Sequence, residues 1–196
     1  LDFDNFNLTE KDFETVSVFL KKRLEQQGFQ VEMRNVLAGA YHCYIRFPGL
    51  LYESGLSGHQ EAKIRINLDT EPQGFLFEPE PYFLNRFDVF TSIRCTPIDI
   101  LLSQMIVAMT QRRRPQGRDF FDAVFLFSKT APNFDFLEHK LQISDPKALK
   151  TYLLDISQQF DFKELAQDVQ PFLFEPGDIK RVELFPEYIK TLRFGS

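Results

Sequence analysis

The stretch "AKIRINLD" (residues 62–69) alternates between apolar and polar side chains at every position. An alternation with a period of two places successive side chains on opposite faces of an extended chain, so it predicts a β-strand. One face of this strand carries Ala62, Ile64, Ile66 and Leu68, and the other carries Lys63, Arg65, Asn67 and Asp69. The turn-forming residues 70–74, "TEPQG", end the strand. The first half of the chain is therefore expected to contain a sheet.

Other elements of the first half agree with a mixed sheet-and-helix arrangement. Strand patterns cover residues 1–4, 29–36, 40–47 and 87–95. The second and third of these adjoin Gly39 and predict a hairpin. Thr9, followed three residues later by Asp12, predicts the capped start of a helix that ends at Gly28.

The second half of the chain is predicted to be helical. Helical patterns cover residues 97–112, 118–129, 146–157, 162–173 and 178–192, and strand signals are scarce after residue 95. The fold class is therefore α+β, with a mixed sheet and helices in a first lobe, residues 1–95, and a helical second lobe, residues 96–196. The 23 phenylalanines and the absence of tryptophan predict a core built around phenylalanine.

The bulk composition narrows the class of protein and its setting. A net charge of −5 argues against broad, non-specific binding of nucleic acid, although a local basic patch remains compatible with it. The two cysteines, Cys43 and Cys95, have no metal-ligand spacing and favour a reducing, cytoplasmic setting. No apolar run has the length of a membrane span, and no signal peptide is present, so a membrane partner is not expected.

The stretch "LDFDNF" (residues 1–6) places two acids on one face of a strand. Asp2 and Asp4 are separated by one residue, Phe3, and Asp69 (or Asn67) lies on the polar face of a second strand. Two or three carboxylates are enough to hold Mg²⁺ with open positions for substrate phosphates. The alternative is that these acids are solvated groups on edge strands, which the spacing taken alone favours.

A basic cluster lies within "QRRRPQGRDFFD" (residues 111–122). It contains Arg112, Arg113, Arg114 and Arg118. Guanidinium groups bind phosphate through two parallel hydrogen bonds, so this turn could hold a triphosphate or an RNA backbone; it could equally be a solvated turn. Asp119 and Asp122 are three residues apart and share a helix face, where they would orient the arginines or stabilise the helix start.

Several common catalytic patterns are absent from the sequence. His42, His59 and His139 have no partner at a recognisable spacing, so structural or surface roles are expected for them. No serine–histidine–aspartate arrangement can be assigned, and neither a glycine-rich phosphate loop nor a dinucleotide fingerprint is present.

Four stretches, taken in order, resemble motifs of the AbiEii/AbiGii toxin family of nucleotidyltransferases. They are "LDFDNF", "IRINLDTEP", "DILLSQMIVAM" and "GRDFFDAVFL", of which the last is the most specific, and the resemblance extends over nearly the whole chain. It implies a nucleotidyltransferase fold that uses Mg²⁺ and a nucleoside triphosphate (NTP). It also implies transfer of a nucleotide to a tRNA-like RNA acceptor, and a cognate antitoxin protein as partner.

The resemblance also implies roles for individual residues. Catalytic roles fall on Asp2, Asp69, Asp119 and Asp122, metal binding on Asp2, Asp4 and Asp69, and phosphate binding on Arg65, Arg112 and Arg118. The family's first acid would precede Leu1, and its Gly-Gly-Thr phosphate-binding segment is expected to be missing from the first lobe. Asn67 stands at one possible position of the second-motif acid, and Met105 stands where the family has a lysine.

Two hypotheses of function follow. In the first, the protein is a Mg²⁺-dependent nucleotidyltransferase whose N-terminus is truncated in this sequence. In the second, the gene has eroded, and the protein is a catalytically inactive binding module for an antitoxin-like partner or RNA; Met105 and Asn67 favour this one. An unrelated α+β protein is the third possibility, and it requires the order of the four motifs to be coincidental.

Overall fold

The computed structural model describes residues 2–4 and 7–193, with the side chain of Asp2 outside the described part. The chain forms two compact units, Leu1–Leu76 and Phe77–Ser196. The predicted boundary between a first lobe, residues 1–95, and a second lobe, residues 96–196, stays a prediction. The mixed α+β fold expected from the sequence is confirmed.

The first unit contains a four-stranded sheet. Its elements are β1 (Asp2–Asp4), α1 (Glu10–Gln26), β2 (Glu32–Ala38), β3 (Ala40–Pro48), α2 (Leu50–Glu53) and β4 (Lys63–Glu71). The strand order is β1-β4-β3-β2, with β1 parallel to β4 and the other neighbours antiparallel. The hairpin predicted around Gly39 is confirmed, and Gly39 has a φ of +78°, which a residue without a β-carbon adopts easily.

Helix α1 packs on one face of this sheet. It begins with the predicted capping box, in which the Asp12 amide donates to Thr9 Oγ1 and the Thr9 amide donates to Asp12 Oδ2, both at 3.2 Å. Its buried residue Phe13 belongs to a core with the buried side chains of β3 and β4, which are Cys43, Ile45, Phe47 and Leu68. The alternation along β4 therefore sends one set of side chains toward this core and the polar set to the opposite face.

The second unit begins with a β-hairpin and continues as helices. The hairpin consists of β5 (Glu80–Arg86) and β6 (Val89–Cys95). The helices are α3 (Ile98–Gln111), α4 (Gly117–Phe127), α5 (Phe134–Leu141), α6 (Pro146–Ser157), α7 (Phe162–Val169), α8 (Lys180–Glu183) and α9 (Phe185–Thr191). Short 3-10 turns at Gln170–Phe172 and Pro176–Ile179 follow α7. Neither β5 nor α5 was predicted from the sequence, and α7 is shorter than expected.

Phenylalanine rings form the centre of the helical core, as the composition predicted. Phe120 of α4 is fully buried. Its ring centroid lies 5.6, 5.2 and 5.0 Å from those of Phe160, Phe162 and Phe185. All three pairs meet edge to face, the arrangement that aromatic quadrupoles prefer.

Within the described residues, no helix is both long enough and apolar enough to span a lipid bilayer.

Candidate active site

The parallel pairing of β1 with β4 brings predicted acids together. Asp2 is the register partner of Asp69, and Asp4 is the partner of Glu71. Paired residues of neighbouring strands occupy the same face of a sheet, so these four positions form two adjacent rows. Residues from opposite ends of the unit's sequence therefore meet on one face.

That face is the one opposite helix α1. Leu68, which precedes Asp69, is buried against the core, and its partner on β3 is the buried Cys43. Since neighbouring residues of a strand point to opposite faces, Asp69 lies on the other side. Its β3 partner is His42, so one row of the polar face reads Asp2, Asp69, His42 across three strands.

His42 contacts the carboxylate of Asp69 directly. The distance from His42 Nδ1 to Asp69 Oδ1 is 2.6 Å, and both side chains are about one-third exposed, at 33% and 36%. A carboxylate can only accept, so Nδ1–H of His42 is the donor. Along the sequence, His42 has no partner at a recognisable spacing. The signal that could have found one is the register of β3 against β4 rather than any local spacing.

Asp4 lies at the carboxyl end of β1, beside a small cavity. The cavity has a volume of about 220 Å³, and Asp4 lines it together with Asn7 and residues 72–76. The segment 72–76 directly follows β4, so the cavity lies beyond the carboxyl ends of the two parallel strands. Ligands of open sheets commonly bind at such an edge.

Lys63, Arg65 and Asn67 of β4 share the face of Asp69. Arg65 is exposed and pairs in register with Arg46, while Asn67 is half-buried and pairs with Tyr44. Arg65 is four residues from Asp69, which corresponds to about 13 Å along an extended strand. The sheet thus places Arg65 on the predicted face, but not beside the acids.

In the helical unit, the predicted Arg112 and Asp119 form a close ion pair. Arg112 follows the last residue of α3, and its Nη1 donates to Asp119 Oδ1 at 2.8 Å and Oδ2 at 2.6 Å. The side chain of Asp119 is only 4% exposed, whereas that of Arg112 is 37% exposed. The buried carboxylate therefore has its compensating charge, and the Arg112 side chain remains partly exposed.

Arg118 and Asp122 occupy the exposed side of α4. Arg118 Nε lies 4.0 Å from Asp119 Oδ1, and the Arg118 side chain is 67% exposed. The pKa of Asp122 is raised, first by the loss of surrounding water and then by the charge of Asp119, while Arg118 acts in the opposite direction. Asp122 is nevertheless exposed, so this desolvation is partial.

Gly117 fixes the position of Arg118 and Asp119 at the start of α4. It is the first residue of α4, and a β-carbon placed on it would lie 1.8 Å from the carbonyl oxygen of Leu165 in α7. Only glycine lets the start of α4 approach the α7 backbone so closely. The glycine of "GRDFFD" is thus required by packing, and it sets where Arg118 and Asp119 begin.

Met105, at the position where the resemblance implies a lysine, packs against the apolar core of the helical unit. It is half-buried on α3, which also contributes the fully buried Leu102 and Ile106 to that core. A thioether in this environment adds apolar contact and no positive charge.

The donor atoms on the sheet face are of the type that magnesium prefers. In the part of the chain that the structure describes, no three side chains of His, Cys, Asp or Glu converge on a metal position, but the Asp2 side chain is outside that part. Magnesium is commonly held by one or two carboxylates with substrate phosphates completing its shell. Asp69 supplies one such carboxylate, and Asp2, a residue of the same chemical type, is its backbone register partner, so the chemistry of this row fits Mg²⁺.

Comparison with known proteins gives one family. A family model described as "Nucleotidyl transferase AbiEii toxin, Type IV TA system" matches residues 1–183. No curated protein matches the chain. The family match spans both compact units, including the β1–β4 pair and the "GRDFFD" segment of α4.

Proposed function

Because the chain belongs to the AbiEii family of nucleotidyl transferase toxins of type IV toxin–antitoxin systems, we propose that it transfers a nucleotide from an NTP to a tRNA-like RNA acceptor. The observation that supports this best is the pairing of Asp2 with Asp69 on one face of the sheet. The sequence resemblance independently implies metal-binding roles for these two acids.

The chemistry depends on charge and position. Phosphoryl and nucleotidyl transfer builds negative charge on phosphate oxygens and needs the reacting groups to be held in line. A bound Mg²⁺ would neutralise part of that charge. Asp2 and Asp69 would hold the ion, and Asp4 would add a further carboxylate at the end of β1.

The arginines would bind the triphosphate. Arg118 is well exposed, and the Arg112 side chain is partly exposed while Asp119 holds its guanidinium in place. Asp119 would thus act by positioning Arg112, and Asp122 would set the local charge beside Arg118. Arg65 on β4 would contact phosphate from the sheet face.

The proposal extends to partner and setting. A type IV system pairs a toxin with an antitoxin, so a cognate antitoxin is the expected protein partner. Cys43 and Cys95 are both free thiols, in keeping with a reducing cytoplasm.

The test of activity is label transfer. The protein is incubated with each radiolabelled NTP, Mg²⁺ and total tRNA, and the RNA is separated on a denaturing gel. We expect label on RNA that disappears with Asp69→Asn. The matched control is Asp155→Asn, which neutralises an exposed acid of α6. Absence of label with all four nucleotides, or equal labelling by the Asp69→Asn variant, would reject the proposal.

One observation favours a second candidate, an inactive binding module for an antitoxin-like partner or RNA. Met105 contributes to the helical core where a nucleotide-binding lysine is implied. Calorimetry with Mg²⁺ and a non-hydrolysable NTP separates the two candidates. Micromolar binding by the wild-type protein argues against the inactive module. No binding by either the wild type or Met105→Lys supports it.

A further inference from the structure

We propose that His42 is a positioning residue that fixes the carboxylate of Asp69 for metal binding; this inference rests on the proposed function. The sequence resemblance assigns His42 no role, and its contact with Asp69 emerges only from the sheet register.

The hydrogen bond occupies one oxygen of the carboxylate. His42 Nδ1 lies 2.6 Å from Asp69 Oδ1, a short distance for a nitrogen donor and a charged acceptor. A metal ion needs only one oxygen of a monodentate carboxylate, so Oδ2 can serve it while Oδ1 accepts from the imidazole. The Asp69 carboxylate can therefore accept the hydrogen bond from His42 and bind a cation at the same time.

The imidazole is itself held in place. His42 is paired through its backbone with Val36 of β2 and Asp69 of β4, so it sits on a central strand. Its ring stacks on that of Tyr44, with centroids 6.2 Å apart and planes 15° from parallel. A donor fixed by both strand pairing and ring stacking orients its acceptor at little further entropic cost.

This support matters because Asp69 is partly exposed. At 36% exposure the carboxylate is not fixed by packing alone, and an unrestrained aspartate would lose rotamer freedom each time it bound a metal. Groups that hydrogen-bond a metal ligand typically change metal affinity by about 10- to 100-fold when they are removed. Loss of the His42 donor is expected to fall in this range.

The experiment measures metal binding directly, without catalysis. Binding of Mn²⁺ alone to the full chain is followed by electron paramagnetic resonance for the wild type, His42→Phe and His42→Asn. Phenylalanine keeps a ring beside Tyr44 but has no donor, whereas the asparagine amide nitrogen can replace Nδ1. The matched control is His59→Phe, since His59 is 80% exposed and its ion-pair partner is Glu61, away from Asp69.

We expect His42→Phe to weaken Mn²⁺ binding by about 10- to 100-fold. His42→Asn should recover most of the loss, and His59→Phe should have no effect. Wild-type affinity in His42→Phe would overturn the inference, and so would equal weakening by His42→Asn, because the donor would then not be the cause. If His42→Phe fails to fold by circular dichroism, His42→Ala carries the same expectation.

The proposed function and this inference fail in different ways. If wild-type protein binds no Mn²⁺, or binds it equally well with Asp69→Asn, the metal site of the proposed function is wrong and the inference falls with it. If wild-type binding depends on Asp69 but not on His42, only the inference is wrong.

Discussion

Gly117 is a single residue whose identity is dictated by the backbone of another helix. A β-carbon there would lie 1.8 Å from the Leu165 carbonyl oxygen, and neither helix backbone can yield as a flexible side chain would. The glycine therefore reflects a packing requirement, and its place in the "GRDFFD" segment does not by itself indicate contact with substrate.

We expect Gly117→Ala to destabilise the helical unit by about 1–3 kcal/mol, the range for overpacking a tight interior. The measurement is the free energy of unfolding in urea. Gly177→Ala is the matched control, because nothing lies within 4 Å of a β-carbon at that position, and it should change stability by less than about 0.5 kcal/mol. Equal effects of the two substitutions would refute the packing argument.

The ionisation of Asp122 should make the stability of the folded protein depend on pH. Desolvation and the charge of Asp119 raise the pKa of its carboxyl, so ionisation is harder in the folded protein than in the unfolded chain. The resulting loss of stability is absent below the ordinary aspartate pKa of about 3.9, grows as pH rises through the folded pKa, and is complete above it.

Asp122→Asn should therefore be more stable than the wild type near neutral pH, and the difference should shrink as the pH falls toward about 4. Urea unfolding of both proteins at several pH values measures this. If Asp122 also serves transfer, the same variant should lose activity while gaining stability. A stability difference that grows on acidification would show that the direction of the pKa shift is wrong.

At the scale of elements, regular patterns were predictable and short or interrupted ones were not. The clean alternation of residues 62–69 gave β4, and the Thr9–Asp12 capping box gave the start of α1. Strand β5 was missed because prolines at positions 79 and 81 argue against a strand, although a two-stranded hairpin tolerates them at its edge. Helix α5 has only eight residues, too few to show a clear period.

The candidate site likewise has residues that the sequence could predict and a contact that it could not. Its acids and arginines could be proposed from their order along the chain. The bond between His42 and Asp69, two residues on neighbouring strands, could not be predicted, because it depends on which residues face each other in the β3–β4 pair. A shift of one residue in that register would send His42 to the other face.

The Arg112–Asp119 ion pair links α3 to α4, and loss of its two partners should have unequal effects on stability. Removing Arg112 would leave the buried Asp119 carboxylate without its donor, whereas neutralising Asp119 would leave a guanidinium that still reaches water. Arg112→Met should therefore cost about 1–3 kcal/mol, and Asp119→Asn clearly less. Unfolding of the two single variants and the double variant measures the coupling. A larger cost for Asp119→Asn would contradict this account.

The described residues form two hydrophobic cores, and each core lies within one compact unit. The sheet unit buries Phe13, Cys43 and Leu68, whereas the helical unit buries the phenylalanine cluster around Phe120. Each core stabilises its own unit, so the unfolding of each unit is measured with its own probe.

Phe120→Ala should destabilise the helical unit by about 3–5 kcal/mol through loss of ring contacts and the cavity that remains. Cys43 is a built-in reporter for the other unit, since burial shields its thiol and raises the thiol's pKa. In a Cys95→Ser background, the urea midpoint for thiol labelling of Cys43 should stay unchanged while helical circular dichroism shifts to lower urea. If the midpoints for Cys43 labelling and for circular dichroism shift together, the two units unfold in one cooperative transition.

The parallel β1–β4 pair has a consequence for biosynthesis. Its two strands lie at opposite ends of the sheet unit's sequence, and the chain between them forms α1, the β2–β3 hairpin and α2. A pairing between such distant segments closes a long loop, so it forms after the local hairpin. On the ribosome, β1 must wait until β4 has emerged. The acids of the proposed metal site are thus brought together only once nearly all of the sheet unit has been synthesised.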